Sequence, residues 1–429
     1  MHPKSGSRRD LLQNIAITVL AVSAVLLFLQ IQRYMLLPDE SLMSGLLQAG
    51  SVSDAPVQDT AQSLSAPVRV AVSGTYGRYG DITLSTGDAD QFGRLLSPLL
   101  SEALGSAGTF SACNQTEFLA ALSRTCVYYD FLSPLPLSVL SVLAGMDTPV
   151  AFDLTARYAV VSQQDDTVDL LIWDGADTFL RCATSVRPSR LQDVVSSYEL
   201  GNAAFAFDLA ESDPTFAACA PCSLFLTPLP QYQMLSAEAN VSDSSDLLSA
   251  LGFNPYANTR YTESNGTEVV MEGDQTLRIS SDGTLRYQSG GRASLFLADA
   301  DHTPTQTEAV QGAWELVRKL TDGRLGSASL YLTEVTVSDE STVVRFGLHT
   351  GGTPIRFPDD APAAEVRLDG TAVTALTVTL REYTATGESA SLLPLKQASA
   401  IAALDPGREL SIAYVDGGTG KCTLSWLSD

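Results

Sequence analysis

Six cysteines, three histidines and an excess of carboxylates are the residues of this chain with chemistry to offer. The cysteines are Cys113, Cys126, Cys182, Cys219, Cys222 and Cys422. An even number of cysteines in an oxidising compartment suggests disulfides, and Cys113 with Cys126 would close a short local loop. The sequence does not choose among the other pairings. Cys219 and Cys222 form the motif CAPC. One reading is a redox dithiol, in which a helix N-terminus lowers the pKa of the first thiol. Such a motif follows a strand and opens a long amphipathic helix, whereas here the apolar run PCSLFLTPLP follows. A local disulfide between Cys219 and Cys222, or a pair of buried thiols, suits that context better.

Other catalytic patterns are missing. His2, His302 and His349 have no recognisable partners for a Ser-His-Asp or zinc site. The sequence contains no H-E-x-x-H, no G-x-S-x-G and no P-loop, and none of its lysines has a serine three residues before it. The segment DADHTPTQTE (299–308) places oxygens at alternate positions but lacks the loop glycine of an EF-hand, and reads as a solvated turn. The 49 acidic residues could supply a glycosidase pair, yet no pattern selects two of them. The expectation is therefore no catalytic, cofactor-binding or metal-binding residues.

The elements that would position these side chains begin with an apolar run from Leu11 to Ile31, the length a helix needs to cross a bilayer. Val22-Ser23-Ala24 would pass for a signal-peptidase site, but Val25-Leu26-Leu27-Phe28-Leu29 continues the run, so the segment is expected to stay as an anchor. Lys4, Arg8 and Arg9 precede it and only Arg33 follows, which places the N-terminus in the cytoplasm and the bulk outside the cell. Asn14, Thr18 and Ala21 share one face of this helix, and small or hydrogen-bonding residues are what helix contacts in lipid use. Hydration of Asn14 at the interface is the other reading. Beyond Arg33 the chain holds 22 basic and 48 acidic residues, a net charge of −26. That surface repels nucleic acid and anionic lipid.

Residues 38–66 are rich in Ser, Ala, Gln and Asp and lack periodicity after Leu47, so 32–66 reads as a linker, with room for a short helix through ESLMSGLLQ. An α+β unit is expected over 67–230. RYAVVSQQDDTVDLLIWDG reads as a hairpin turning at Gln164-Asp165-Asp166, SRLQDVVSSYEL as an amphipathic helix, and AFAFDLA and SLFLTPL as strands. A second unit over 231–304 holds a meander with an Asp282-Gly283 turn. A third, over 305–429, opens with a helix burying Ala309, Ala313, Trp314, Leu316, Val317 and Leu320. The fold class is thus α+β: one N-terminal transmembrane helix, then extracellular domains with antiparallel sheets and helices packed on one face.

This layout resembles the YycH family. TLRISSDGTLRYQSG is similar to that family's strand–turn–strand before a helix. AWELVRKLTDG followed by STVVRFGLHTGGTPIRF resembles its helix and hairpin with a Gly-x-Pro step, here Gly352-Thr353-Pro354. LLPLKQASAIAALDPGRELSIAYV resembles its closing Leu-Pro helix and last strand. The likeness covers residues 8–35 and 240–429, while 66–230 shows none. It implies a non-enzymatic membrane regulator without cofactors, acting with a YycI-like sister on a WalK (YycG)-like sensor histidine kinase of a Gram-positive cell, in cell-wall homeostasis. Two other classes fit the layout: a bitopic envelope scaffold of division or secretion machinery, and an extracellular thiol oxidoreductase using Cys219 and Cys222. A helix N-terminus at Cys219 would favour the last of these.

Overall fold

Two mainly antiparallel sheets share the chain, and the polypeptide passes from one to the other between Leu226 and Gln233. The computed structural model describes residues 67–429 apart from 75–76, 83–91, 242–243, 255, 257–258, 292–294, 298–303, 339–340, 405–406 and 429. The expected span 11–31, its face of Asn14, Thr18 and Ala21, and the linker 32–66 lie outside the described residues. Among those described, no helix is long and apolar enough to cross a membrane.

The first half runs β1 (Arg69–Ser73), β2 (Tyr79–Ile82), α1 (Ser97–Gly105), β3 (Ser111–Ala112), α2 (Gln115–Leu122), β4 (Cys126–Pro136) and α3 (Leu137–Leu143). It continues with β5 (Thr155–Gln164), β6 (Thr167–Trp173), β7 (Phe179–Ala183), α4 (Pro188–Ser196), β8 (Ala203–Phe205), α5 (Ala206–Ser212) and β9 (Leu224–Leu226). Among the described residues these strands form one sheet in the order β3-β7-β6-β5-β4-β1-β2-β8-β9. The period of two along each strand sends alternate side chains to opposite faces. Val127 and Tyr129 of β4 face α1, α3 and α4, with Leu99, Leu140 and Val194 packed on them. Cys126 and Tyr128 face the other way, toward Phe118 and Leu122 of α2. Helices therefore cover both faces of this sheet, not one as expected. The residues AFAFDLA, expected as a strand, give β8 only as far as Phe205 and then turn into α5.

The second half runs β10 (Gln233–Ala239), α6 (Ser244–Ala250), β11 (Thr259–Thr262), β12 (Glu268–Glu272), β13 (Gln275–Ile279), β14 (Thr284–Ser289) and α7 (Gln306–Thr321). There follow β15 (Ser329–Val337), β16 (Thr342–Thr350), β17 (Thr353–Arg356), β18 (Ala364–Asp369), β19 (Ala372–Thr379), β20 (Arg381–Ser389), α8 (Leu395–Ala402), β21 (Leu410–Asp416) and β22 (Lys421–Ser428). The sheet order is β11-β12-β13-β14-β19-β18-β16-β17-β21-β22-β10-β20, with β15 paired to β16. β17 and β21 pair in parallel. β19 passes through Leu380 directly into β20, which pairs with β10 at the far end of the order, so the sheet bends back beside its own middle. Gly283 makes that corner possible: its φ is +92°, and a Cβ there would lie 2.4 Å from the Leu380 carbonyl oxygen.

Helix α7 lays Val310, Trp314 and Val317 on this sheet. Its N-terminus is closed by a capping box in which Thr305 accepts from the Glu308 N–H and Glu308 accepts from the Thr305 N–H. Leu285 pairs with Val378 and Tyr287 with Leu376, so the boundary expected at 304/305 cuts through a single sheet. One apolar core joins the two halves, containing Leu137 and Leu140 of α3 together with Val310 and Trp314 of α7.

Candidate functional site

All six thiols are free. The expected bridge between Cys113 and Cys126 is absent for a topological reason. Cys113 follows β3 and donates its N–H to Phe179 of β7, while Cys126 opens β4. β7, β6 and β5 lie between those positions, four strand spacings or roughly 19 Å across the sheet. A disulfide requires Cα atoms within about 7 Å. Helix α2 spans the gap from one cysteine to the other, which is why a short sequence separation becomes a long distance. Cys219 and Cys222 are not joined either, because their side chains enter different apolar clusters.

The thiols are also poorly placed for redox work. Cys219 ends the 3-10 turn Pro214–Ala218, so no helix N-terminus faces it, and burial pushes its thiol up to about 12. Burial holds Cys222 well above the usual thiol range. Cys126 and Cys422 are likewise raised to about 12 and Cys182 to about 11, burial leading in each case. A thiol that stays protonated is a weak nucleophile. The condition that would favour the oxidoreductase reading is not met.

A buried charge lies at the seam between the two halves. Asp130 interrupts the apolar run of β4 and is only 3% exposed. Its carboxylate accepts the Leu132 N–H at 2.8 Å, and it lies 3.8 Å from Arg69 and 4.0 Å from Arg157. The β4–β5 register breaks after Asp130 and resumes at Leu135, so Leu132 can take a left-handed conformation (φ 62°) and turn its N–H inward. The Arg157 guanidinium also lies 4.9 Å over the Tyr158 ring. Arg69 then reaches across the seam: its Nε donates to the Gly352 carbonyl at 2.8 Å. Gly352 has a φ of +77°, and a Cβ would come within 3.3 Å of Arg69 Cγ.

His349 of β16 belongs to the same region. Its ring lies 5.9 Å from that of Tyr331, and its buried Nδ1 finds no hydrogen-bond partner among the described residues. Burial, with Arg69 adding to it, lowers this imidazole to about 4. The arrangement holds a buried carboxylate against two cations, one of which also bonds across to the other half. Among the described residues no group of three or more His, Cys, Asp or Glu is placed to hold a metal ion.

Of these residues His349 stands out in the sequence by its type, whereas Arg69, Asp130 and Arg157 do not. A signal was present: Asp130 is a lone acid inside CVYYDFL, and a charge in a strand covered on both faces must find partners. Exposed apolar side chains gather at a second place, around α8. Phe216, Phe225, Leu229, Leu395 and Trp426 line a cleft of about 480 Å³ there, and Ile401 and Leu404 project into solvent beside the same helix. Trp426 Nε1 donates to the Leu393 carbonyl at 2.8 Å.

No protein-family profile matches this chain, and no curated protein matches its sequence. The crystal structure of YycH from Bacillus subtilis does match in three dimensions, with a TM-score of 0.52 over 86% of this chain and 95% of that one. Sequence identity across the match is 10%. The likeness is one of fold: this chain has a YycH-like α+β fold.

Proposed function

We propose that this chain is a non-enzymatic, membrane-anchored regulator of a WalK-like sensor histidine kinase that controls cell-wall homeostasis. The observation that carries the reading is the YycH-like fold over nearly the whole described chain. The hydrophobic run 11–31 with basic residues before it supports an anchor with a cytoplasmic N-terminus and residues 34–429 outside. In this account Asn14, Thr18 and Ala21 meet the kinase's membrane helices, and the external part binds a YycI-like sister. Contacts that differ between two kinase states shift the balance between them, which is all that such regulation requires.

A membrane two-hybrid assay against the host's kinase tests the anchor. Replacing Asn14, Thr18 and Ala21 together with Leu preserves insertion, since Leu favours the bilayer core. The triple variant is expected to lose association with the kinase while a control substituted at Ala16 and Ser23 keeps it. Undiminished association of the triple variant would leave the helix as a tether only.

A further inference from the structure

The first sheet carries a cleft of about 240 Å³ between α2 and the strands β5, β6 and β7. Asp169 of β6 lines it and is 8% exposed. Its neighbours along the strand, Val168, Leu170, Leu171 and Ile172, are all buried and apolar, so a carboxylate here is an anomaly. Arg181 Nε lies 3.7 Å from Asp169 Oδ2, beyond hydrogen-bond length. No hydrogen-bond donor among the described residues reaches this carboxylate. Burial raises its pKa, against the opposing pull of Arg181 and Arg124. A carboxylate that its own chain does not hydrogen-bond is left to water or to a ligand that enters the cleft.

The other charges around the cleft differ in how far they are used. Glu117 accepts the Asn114 N–H at 3.0 Å in the capping box of α2, and Arg124 donates to the Gln164 side chain. The Arg181 guanidinium is 42% exposed and makes no hydrogen bond among the described residues. The cleft thus presents a carboxylate without a hydrogen-bond donor and, in loose ionic contact with it, a planar donor fork without a hydrogen-bond acceptor. Ala120 and Leu171 supply an apolar wall.

We propose that this cleft binds a free α-amino acid with a small apolar side chain, its ammonium on Asp169, its carboxylate on Arg181 and its side chain against Ala120 and Leu171. Other ligand classes fit less well. A metal cation would meet two guanidinium groups, and a simple anion would meet Asp169. An uncharged sugar would leave the Arg181 fork without an anion. An α-amino acid zwitterion carries both opposite charges on groups attached to one carbon and meets both side chains at once. The proposal goes beyond the regulatory reading and does not rest on it.

Calorimetric titration of the purified full chain in detergent tests it, using glycine and both enantiomers of alanine, with N-acetylalanine, alanine methyl ester and phenylalanine as controls. Saturable binding of alanine is expected, weakened about tenfold or more when either the amino group or the carboxylate is blocked. Asp169→Asn and Arg181→Gln are each expected to weaken alanine binding by a similar factor. Arg181 is exposed enough that its variant keeps the fold, so it decides the matter if Asp169→Asn alters stability. The absence of saturable binding at millimolar amino acid, equal binding of N-acetylalanine, or undiminished binding by folded Arg181→Gln would each overturn the proposal.

Discussion

Asp130 concentrates the electrostatics of the seam in one side chain. Asp130→Ala would leave Arg69 and Arg157 near each other without their shared counter-charge and the Leu132 N–H without its acceptor. Both arginines are partly solvated, so the expected loss is about 2–4 kcal/mol and not the upper end for fully buried pairs. Denaturant midpoints measure it, and a loss under about 0.5 kcal/mol would show that the cluster is incidental. His349 makes the seam sensitive to acid. Its folded pKa of about 4 lies below the ordinary 6.5, so the unfolded chain binds the extra proton between those values. The stability tied to a neutral His349 is complete above pH 6.5 and is lost as pH falls toward 4. The drop in urea midpoint from about pH 7 to about pH 4.5 should therefore be smaller in His349→Gln than in the parent, because the carboxylates titrate in both. Equal drops would contradict this. The thiols give a third residue-scale expectation. Cys113 is partly exposed and the other five are buried, so native protein should take up about one maleimide and the unfolded, unreduced chain all six. Four labels after unfolding would reveal a disulfide.

Elements set by local rules were legible in the sequence, and those set by distant pairing were not. The turns at Gln164-Asp165-Asp166 and Asp282-Gly283 lie between β5 and β6 and between β13 and β14, because turn residues flanked by alternating apolar positions need nothing further to specify them. All six residues expected on the inner side of α7 are buried, since a helical stripe is read from spacing alone. AFAFDLA misled because alternating Phe and Ala imitate a strand; three residues suffice to reach β9, and the chain then turns into α5. The pairing of β14 with β19 joins residues about ninety positions apart, and no local pattern announces it. The seam was least legible, for it depends on Arg69, Asp130 and Gly352 meeting from three separate strands or turns. The capping box of α7 is a local device with a local effect: Thr305→Ala should cost about 1 kcal/mol in thermal or chemical denaturation. No measurable change would mean that α7 is held by the packing of Trp314 and Val317 alone.

At the scale of the whole molecule, two sheets, a shared core and a charged seam make one body. A contact at one half would reach the other if the seam had a second arrangement within a few kcal/mol. The proposed role at the membrane beside a kinase has a direct readout. Transcription from the target promoters of the host's WalK-like kinase should be compared in cells carrying the chain, lacking it, and lacking it but complemented. Deletion is expected to shift this output, in whichever direction, and complementation to restore it. Unchanged output on deletion, with the kinase active, would contradict the proposed role.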